Sequence, residues 1–160
     1  PAAVIDLPVE AHLPEAYVPD EAQRLDLYRR LARVRAPAEL VDLRAELLDR
    51  FGPPPPPVER LLEVVELRLS AEAAGIAAVG RDDGWLVVRF ATPRPRSDLV
   101  ALLAAARMRG RGLGAGSADV VVGTGVIRVR LPGDPARAWA LTRTLVELVA
   151  APPEAARTVS

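Results

Sequence analysis

The chain has 160 residues, half of them apolar and about a quarter charged, which is enough for one domain with a real core. Its 21 basic and 21 acidic residues cancel, so a dedicated nucleic-acid surface, which needs excess positive charge, is not expected, although a local patch is not excluded. Cysteine is absent, which excludes disulfides, thiolate chemistry and Cys-based metal sites.

All the basic residues are arginine, in keeping with a GC-rich coding sequence. No stretch approaches the ~18 apolar residues of a membrane span, and none reads as a signal peptide. The cytoplasm is the expected compartment. The first residue is Pro, so the sequence reads as a piece of a longer protein.

In chain order, residues 4–13 alternate apolar and polar in places and suggest an extended segment that Pro8 restricts to a sheet edge. Asp20 with Gln23 has the spacing of a capping box and predicts a helix to about Arg35, with Leu27, Leu31 and Val34 inward. Pro37 opens a second helix, buried along Leu40, Leu43, Leu47 and Phe51 and ended by Gly52. Pro53 to Pro57 read as a polyproline II spacer between helices. A third helix is predicted over 58–74, with Val58, Leu61, Leu62, Val65 and Leu69 on one side and Gly75 after it.

The period then changes to two. Residues 77–81 and 85–90 flank Asp82-Asp83-Gly84, a hairpin turn. Ser97 is expected to cap a short helix ending near Met108, and a glycine-rich loop covers 110–116. A second hairpin turns at Gly123-Thr124-Gly125 between 120–122 and 126–131. Asp134-Pro135 starts a last helix to Ala150, and 151–160 read as a flexible C-terminal tail. The predicted fold class is α+β: an N-terminal strand, three helices, then two β-hairpin–helix units whose antiparallel sheet has helices on one face, all within residues 1–150 as a single domain. The proline run is the only candidate for an internal boundary.

Few residues point to catalysis. His12, the sole histidine, lies in the extended segment and reads as an edge residue. Asp82 and Asp83 suit a tight turn for backbone reasons. The glycine-rich stretch follows a helix and precedes a strand, the reverse of a dinucleotide loop. Arg94, Arg96, Arg107, Arg109 and Arg111 form the most basic region but have no aromatic residues interleaved; a solvated face is preferred over phosphate contact.

The second helix differs. Glu39, Asp42, Glu46 and Asp49 are spaced three, four and three, which places four carboxylates along one side next to the leucine stripe. Arg50 lies four residues after Glu46 and in position to pair with it. Asp49 sits near the helix C-terminus, where the helix dipole disfavours negative charge, so local stability does not explain it. Two readings stand: a solvated acidic face, or a ridge that receives arginines from a partner.

Three blocks carry a family resemblance: Tyr17-Val18-Pro19-Asp20; Arg24 to Ala32; and Leu43 to Gly52 with Pro55. Together they resemble the C-terminal domain of the bacterial transcription-repair coupling factor, distinctively over about residues 3–77 and in element order beyond. The resemblance implies a non-enzymatic, autoinhibitory domain acting in transcription-coupled nucleotide excision repair. Its parent would be an ATP-dependent DNA translocase that acts on stalled RNA polymerase and recruits UvrA. ATP and Mg would belong to the parent's motor domains, as would the contact with DNA; no cofactor, metal or membrane is implied for this part. The implied partner is the UvrB-like N-terminal module of the same chain, whose UvrA-binding surface the domain would mask. The resemblance places Glu46, Asp49 and Arg50 at that contact; helical geometry adds Asp42 and Glu39. The alternative is a module that touches nucleic acid or RNA polymerase through the Arg94–Arg111 region.

Overall fold

A computed structural model describes residues 3–108 and 119–150, apart from the side chains of residues 105–108. Ten elements follow the chain: β1 (Val4–Asp6), α1 (Glu21–Arg33), α2 (Pro37–Phe51), α3 (Pro56–Ala73), β2 (Ile76–Asp82), β3 (Trp85–Phe90), α4 (Arg96–Met108), β4 (Val120–Gly123), β5 (Val126–Arg130) and α5 (Pro135–Ala150). They group into two compact units, Pro8–Leu69 and Pro1–Leu7 with Ser70–Ser160. The division falls at Leu7–Pro8 and inside α3, not at the proline run. The glycine-rich loop and the C-terminal tail predicted above lie outside the described residues.

The helical unit is built as its apolar spacing dictates. Leu27 and Leu31 of α1, Leu40, Leu43 and Leu47 of α2, and Val58, Leu62, Val65 and Leu69 of α3 are buried in one cluster, joined by Leu13, Val18 and Val34. Phe51 and Leu61, both predicted inward, pack against this cluster but are only partly buried. Asp20 caps α1, its carboxylate accepting the Gln23 N–H at 3.1 Å. The helix stops at Arg33, two residues before the predicted end, because Pro37 forces the residue before it, Ala36, into an extended conformation (φ −135°, ψ 147°) and the chain is already extended at Val34. Gly52 ends α2 with φ 86°, donating its N–H to Leu48 O.

The proline run is a shorter spacer than predicted. Pro56 and Pro57 belong to the first turn of α3, where a missing N–H costs nothing. The Pro55 carbonyl accepts the N–H groups of Val58 and Glu59.

The other unit holds a five-stranded sheet of order β1-β2-β3-β5-β4. Both hairpins form as predicted, and β3 pairs antiparallel with β5 to join them. The first turns through Asp83 (φ 46°) and Gly84 (φ 80°), the two left-handed residues that a two-residue hairpin of this hand requires. The antiparallel sheet expected from the sequence is in fact mixed, because β1 runs parallel to β2. A strand separated from its neighbour by three helices is free of the antiparallel constraint that a short hairpin imposes. The edge position expected for this strand is found, but it spans three residues rather than ten, since Pro8 has no N–H to extend the ladder.

Pairing register assigns the side chains to faces, since residues directly opposite one another share a side. The row Val79–Val88–Ile127 is fully buried, and Leu86 and Val129 lie on the same side. With Leu99 of α4 and Trp139, Leu145, Val146 and Val149 of α5 they account for most of this unit's buried residues. The opposite face carries the rows Ala78–Arg89–Val126, Gly80–Val87–Arg128–Val121 and Asp82–Trp85–Arg130.

Ser97 does not cap α4. The helix begins one residue earlier, at Arg96, and the Pro95 carbonyl accepts the N–H groups of Asp98 and Leu99. Asp134 does cap α5, with its carboxylate on the Arg137 N–H at 3.1 Å and Pro135 as first helical residue.

Candidate functional site

The acidic side of α2 is divided by its surroundings. Glu46 is drawn into the helical unit. Both its oxygens meet the Arg30 guanidinium of α1, Nη1 to Oε2 at 2.5 Å and Nη2 to Oε1 at 3.0 Å, and Arg50 Nη1 adds a bond to Oε2 at 3.0 Å. The hydrogen bond from Arg30, then that from Arg50, holds the Glu46 carboxyl below its ordinary pKa despite an opposing push from desolvation. The same bond raises Arg30 above the ordinary guanidinium value. Glu39 is exposed and turns back toward the helix start, accepting the Arg35 N–H at 2.8 Å.

Asp42 and Asp49 are different. Both are exposed and neither makes an ion pair or hydrogen bond among the described residues. They are seven residues apart, about two turns, and so nearly in line. Val41 and Leu48 run parallel to them one residue earlier, 65% and 54% exposed, with exposed Ala45 between. The outward face of α2 is thus an apolar strip edged by two unpaired carboxylates. Arg50, bonded to Glu46, lies over the Phe51 ring at 4.9 Å and closes the helix end. Sequence reasoning identified the acids but passed over Val41 and Leu48; a helical wheel turns both roughly 120° away from the Leu40-Leu43-Leu47 stripe.

The end of α2 is held from outside the helix. The Tyr17 hydroxyl reaches the carbonyls of Gly52 at 2.8 Å and Leu47 at 3.2 Å, and its ring lies 5.7 Å from Phe51. Burial, then the nearby Glu59 carboxylate, pushes the Tyr17 phenol up. Arg24 donates to the carbonyls of Val18 and Pro19, and the Leu13 N–H donates to the Tyr28 hydroxyl. Arg44 of α2 pairs with Glu59 of α3 at 2.6 Å. Tyr17, Arg24, Tyr28 and Glu46 of the resemblance blocks therefore build the helical unit, while Leu48 and Asp49 face outward from it.

The other candidates are less distinctive. The Arg94 guanidinium lies 5.0 Å from the Phe90 ring, and Arg96 Nε donates to Val122 O at 2.9 Å. Each makes a contact within its own unit; the Arg107 side chain, Arg109 and Arg111 lie outside the described residues. The His12 N–H donates to Pro57 O, and Asp83 serves the hairpin turn. Among the described residues, no cluster of acidic or histidine side chains is placed to hold a metal ion, and no helix is long and apolar enough to cross a membrane.

The architecture, an α+β fold with a mixed five-stranded sheet, matches a solved structure, the crystal structure of the C-terminal domain of transcription-repair coupling factor, with a TM-score of 0.65 over 92% of each chain at 19% identity. The family model for the TRCF domain matches residues 7–102, more than half of the sequence, and the chain belongs to that family. Residues 7–102 take in both resemblance-bearing helices and run on through the first hairpin into α4. The transcription-repair-coupling factor of Staphylococcus epidermidis RP62A is 32% identical over 99 residues, 62% of this chain and 8% of that protein. That of Staphylococcus haemolyticus is 37% identical over 84 residues, 52% of this chain and 7% of the relative. The chain thus spans less than a tenth of the length of the relatives it matches.

Proposed function

We propose that this chain is a regulatory clamp of a bacterial transcription-repair coupling factor and performs no chemistry itself. It packs through the outward face of α2 on the UvrB-like N-terminal module of the same protein, hides the surface that UvrA binds, and restrains the DNA-translocase motor that works on stalled RNA polymerase in the bacterial cytoplasm. Membership in the TRCF domain family supports the setting. The observation that supports the surface is the pair of exposed, unpartnered carboxylates of Asp42 and Asp49 beside Val41 and Leu48. Unpaired acids next to exposed aliphatic side chains suit a partner that brings arginines and an apolar contact together.

In this reading the five site residues divide by role. Asp49 and Asp42 face the partner. Glu46 braces α2 against α1 and orients Arg50, and Glu39 holds the chain at the start of the helix. A contact of this size is weak in solution and becomes effective because the partner is tethered. Opening is then a population shift between closed and open states.

The test is UvrA capture by the full-length parent. Asp42→Ala with Asp49→Ala should raise capture toward that of a parent lacking this domain. Unchanged capture by the double variant would reject the face, and unchanged capture on deleting the domain would reject the clamp.

A further inference from the structure

The outer face of the sheet belongs to a different unit from the α2 ridge and has no part in the function proposed above. We infer that this face is a docking surface for an acidic amphipathic helix of a partner protein. Its adjacent strands β3 and β5 present three guanidiniums, Arg89 on β3 and Arg128 and Arg130 on β5. Arg89 is exposed and makes no ion pair or hydrogen bond among the described residues. Arg128 and Arg130 reach Asp82 and Asp119 only at 3.6 and 4.0 Å, beyond hydrogen-bond length. They lean instead on the Trp85 ring, at 5.8 and 4.6 Å. Arg89 and Arg128 are diagonal neighbours across the β3–β5 pair, an arrangement of like charges that an anionic partner relieves.

The same face is also apolar. Val121 on β4 is 51% exposed and Val4 on β1 is 61% exposed, one on each edge strand. A shallow open groove runs over β1 to β3, lined by Val4, Ala78, Val87 and Arg89 with Asp6 and Asp82 at its side. A helix laid across an exposed sheet face is one of the stable two-layer packings. Carboxylates on that helix answer the arginines, and its apolar side answers the valines. A nucleic-acid strand fits less well. The Trp85 ring, the one aromatic on this face that could stack a base, already carries two guanidiniums.

The experiment titrates the isotope-labelled chain with a synthetic amphipathic helix of leucine and glutamate, and follows backbone amides and the Trp85 indole by NMR. The same helix with lysine in place of glutamate, and an oligothymidylate, are the comparisons. The glutamate helix should shift Trp85, Arg89 and Val121 selectively. Arg89→Ser with Arg128→Ser should weaken it roughly tenfold, as two exposed ion pairs allow. Val121→Ser at the edge strand gives a second variant should the first fail to fold, and should also weaken binding. Equal binding of the lysine helix, tighter binding of the oligothymidylate, shifts mapping elsewhere, or no shift at millimolar peptide would each overturn the inference.

Discussion

Arg30 on α1 and Glu46 on α2, sixteen residues apart, are joined by two parallel hydrogen bonds of 2.5 and 3.0 Å. This pair fixes one helix against the next with the directional fit that a planar guanidinium gives to a carboxylate. The side chains are 40% and 34% exposed, so solvent screening limits the pair to about 0.2–1 kcal/mol. Glu46→Gln should cost that much in urea denaturation at neutral pH. A double-mutant cycle with Arg30→Ala should recover it as a coupling energy. Because Glu46 has a lowered pKa when folded, its contribution is complete above the ordinary carboxylate range and fades as pH falls through the lowered value. The difference between the wild type and Glu46→Gln should therefore narrow in acid and be constant from about pH 5 upward.

Asp42 and Asp49 should behave in the opposite way. Alanine at either position removes no intramolecular contact, and stability should stay within about 0.5 kcal/mol of wild type by thermal melting. Partner binding should nevertheless weaken, and the loss should shrink at high salt. Leu48→Ser should also leave the fold intact and weaken the contact, but with little salt dependence. A large stability loss on Asp49→Ala would mean that the residue is structural.

Tyr17 tests whether the end of α2 is pinned from outside the helix. A phenol has one hydrogen to donate, and the 2.8 Å contact with the Gly52 carbonyl is the shorter of the two. Tyr17→Phe keeps the ring packing on Phe51 and should lose about 1 kcal/mol in urea denaturation. Leu47→Ala, in the fully buried stripe of the same helix, should lose about 2–5 kcal/mol.

The turn between β2 and β3 should be sensitive at one residue. Gly84 has φ 80°, where a Cβ meets the following carbonyl, although nothing else stands within 4 Å of it. Gly84→Ala should cost about 1–2 kcal/mol and increase hydrogen exchange in the hairpin. Asp83, at φ 46°, should accept Asn with little change.

Much of this protein is written locally. Asp20, Pro37 and Asp134-Pro135 set helix starts, Asp83-Gly84 sets the hairpin turn, and leucines at helical spacing name the core of the helical unit. These signals act over a few residues, so sequence alone determined the α+β class, the position of nearly every element and the family. Tertiary structure decided which acids of α2 are engaged. Glu46 and Asp49 lie three residues apart on one helix with the same charge, and the arrival of Arg30 from α1 makes the first a brace between helices while the second stays exposed. It also decided that β1 lies parallel to β2 and that Arg89, Arg128, Arg130 and Trp85 share one face. Periodicity gives each side chain a direction relative to its own element. Which charges meet there depends on how distant segments pack and pair.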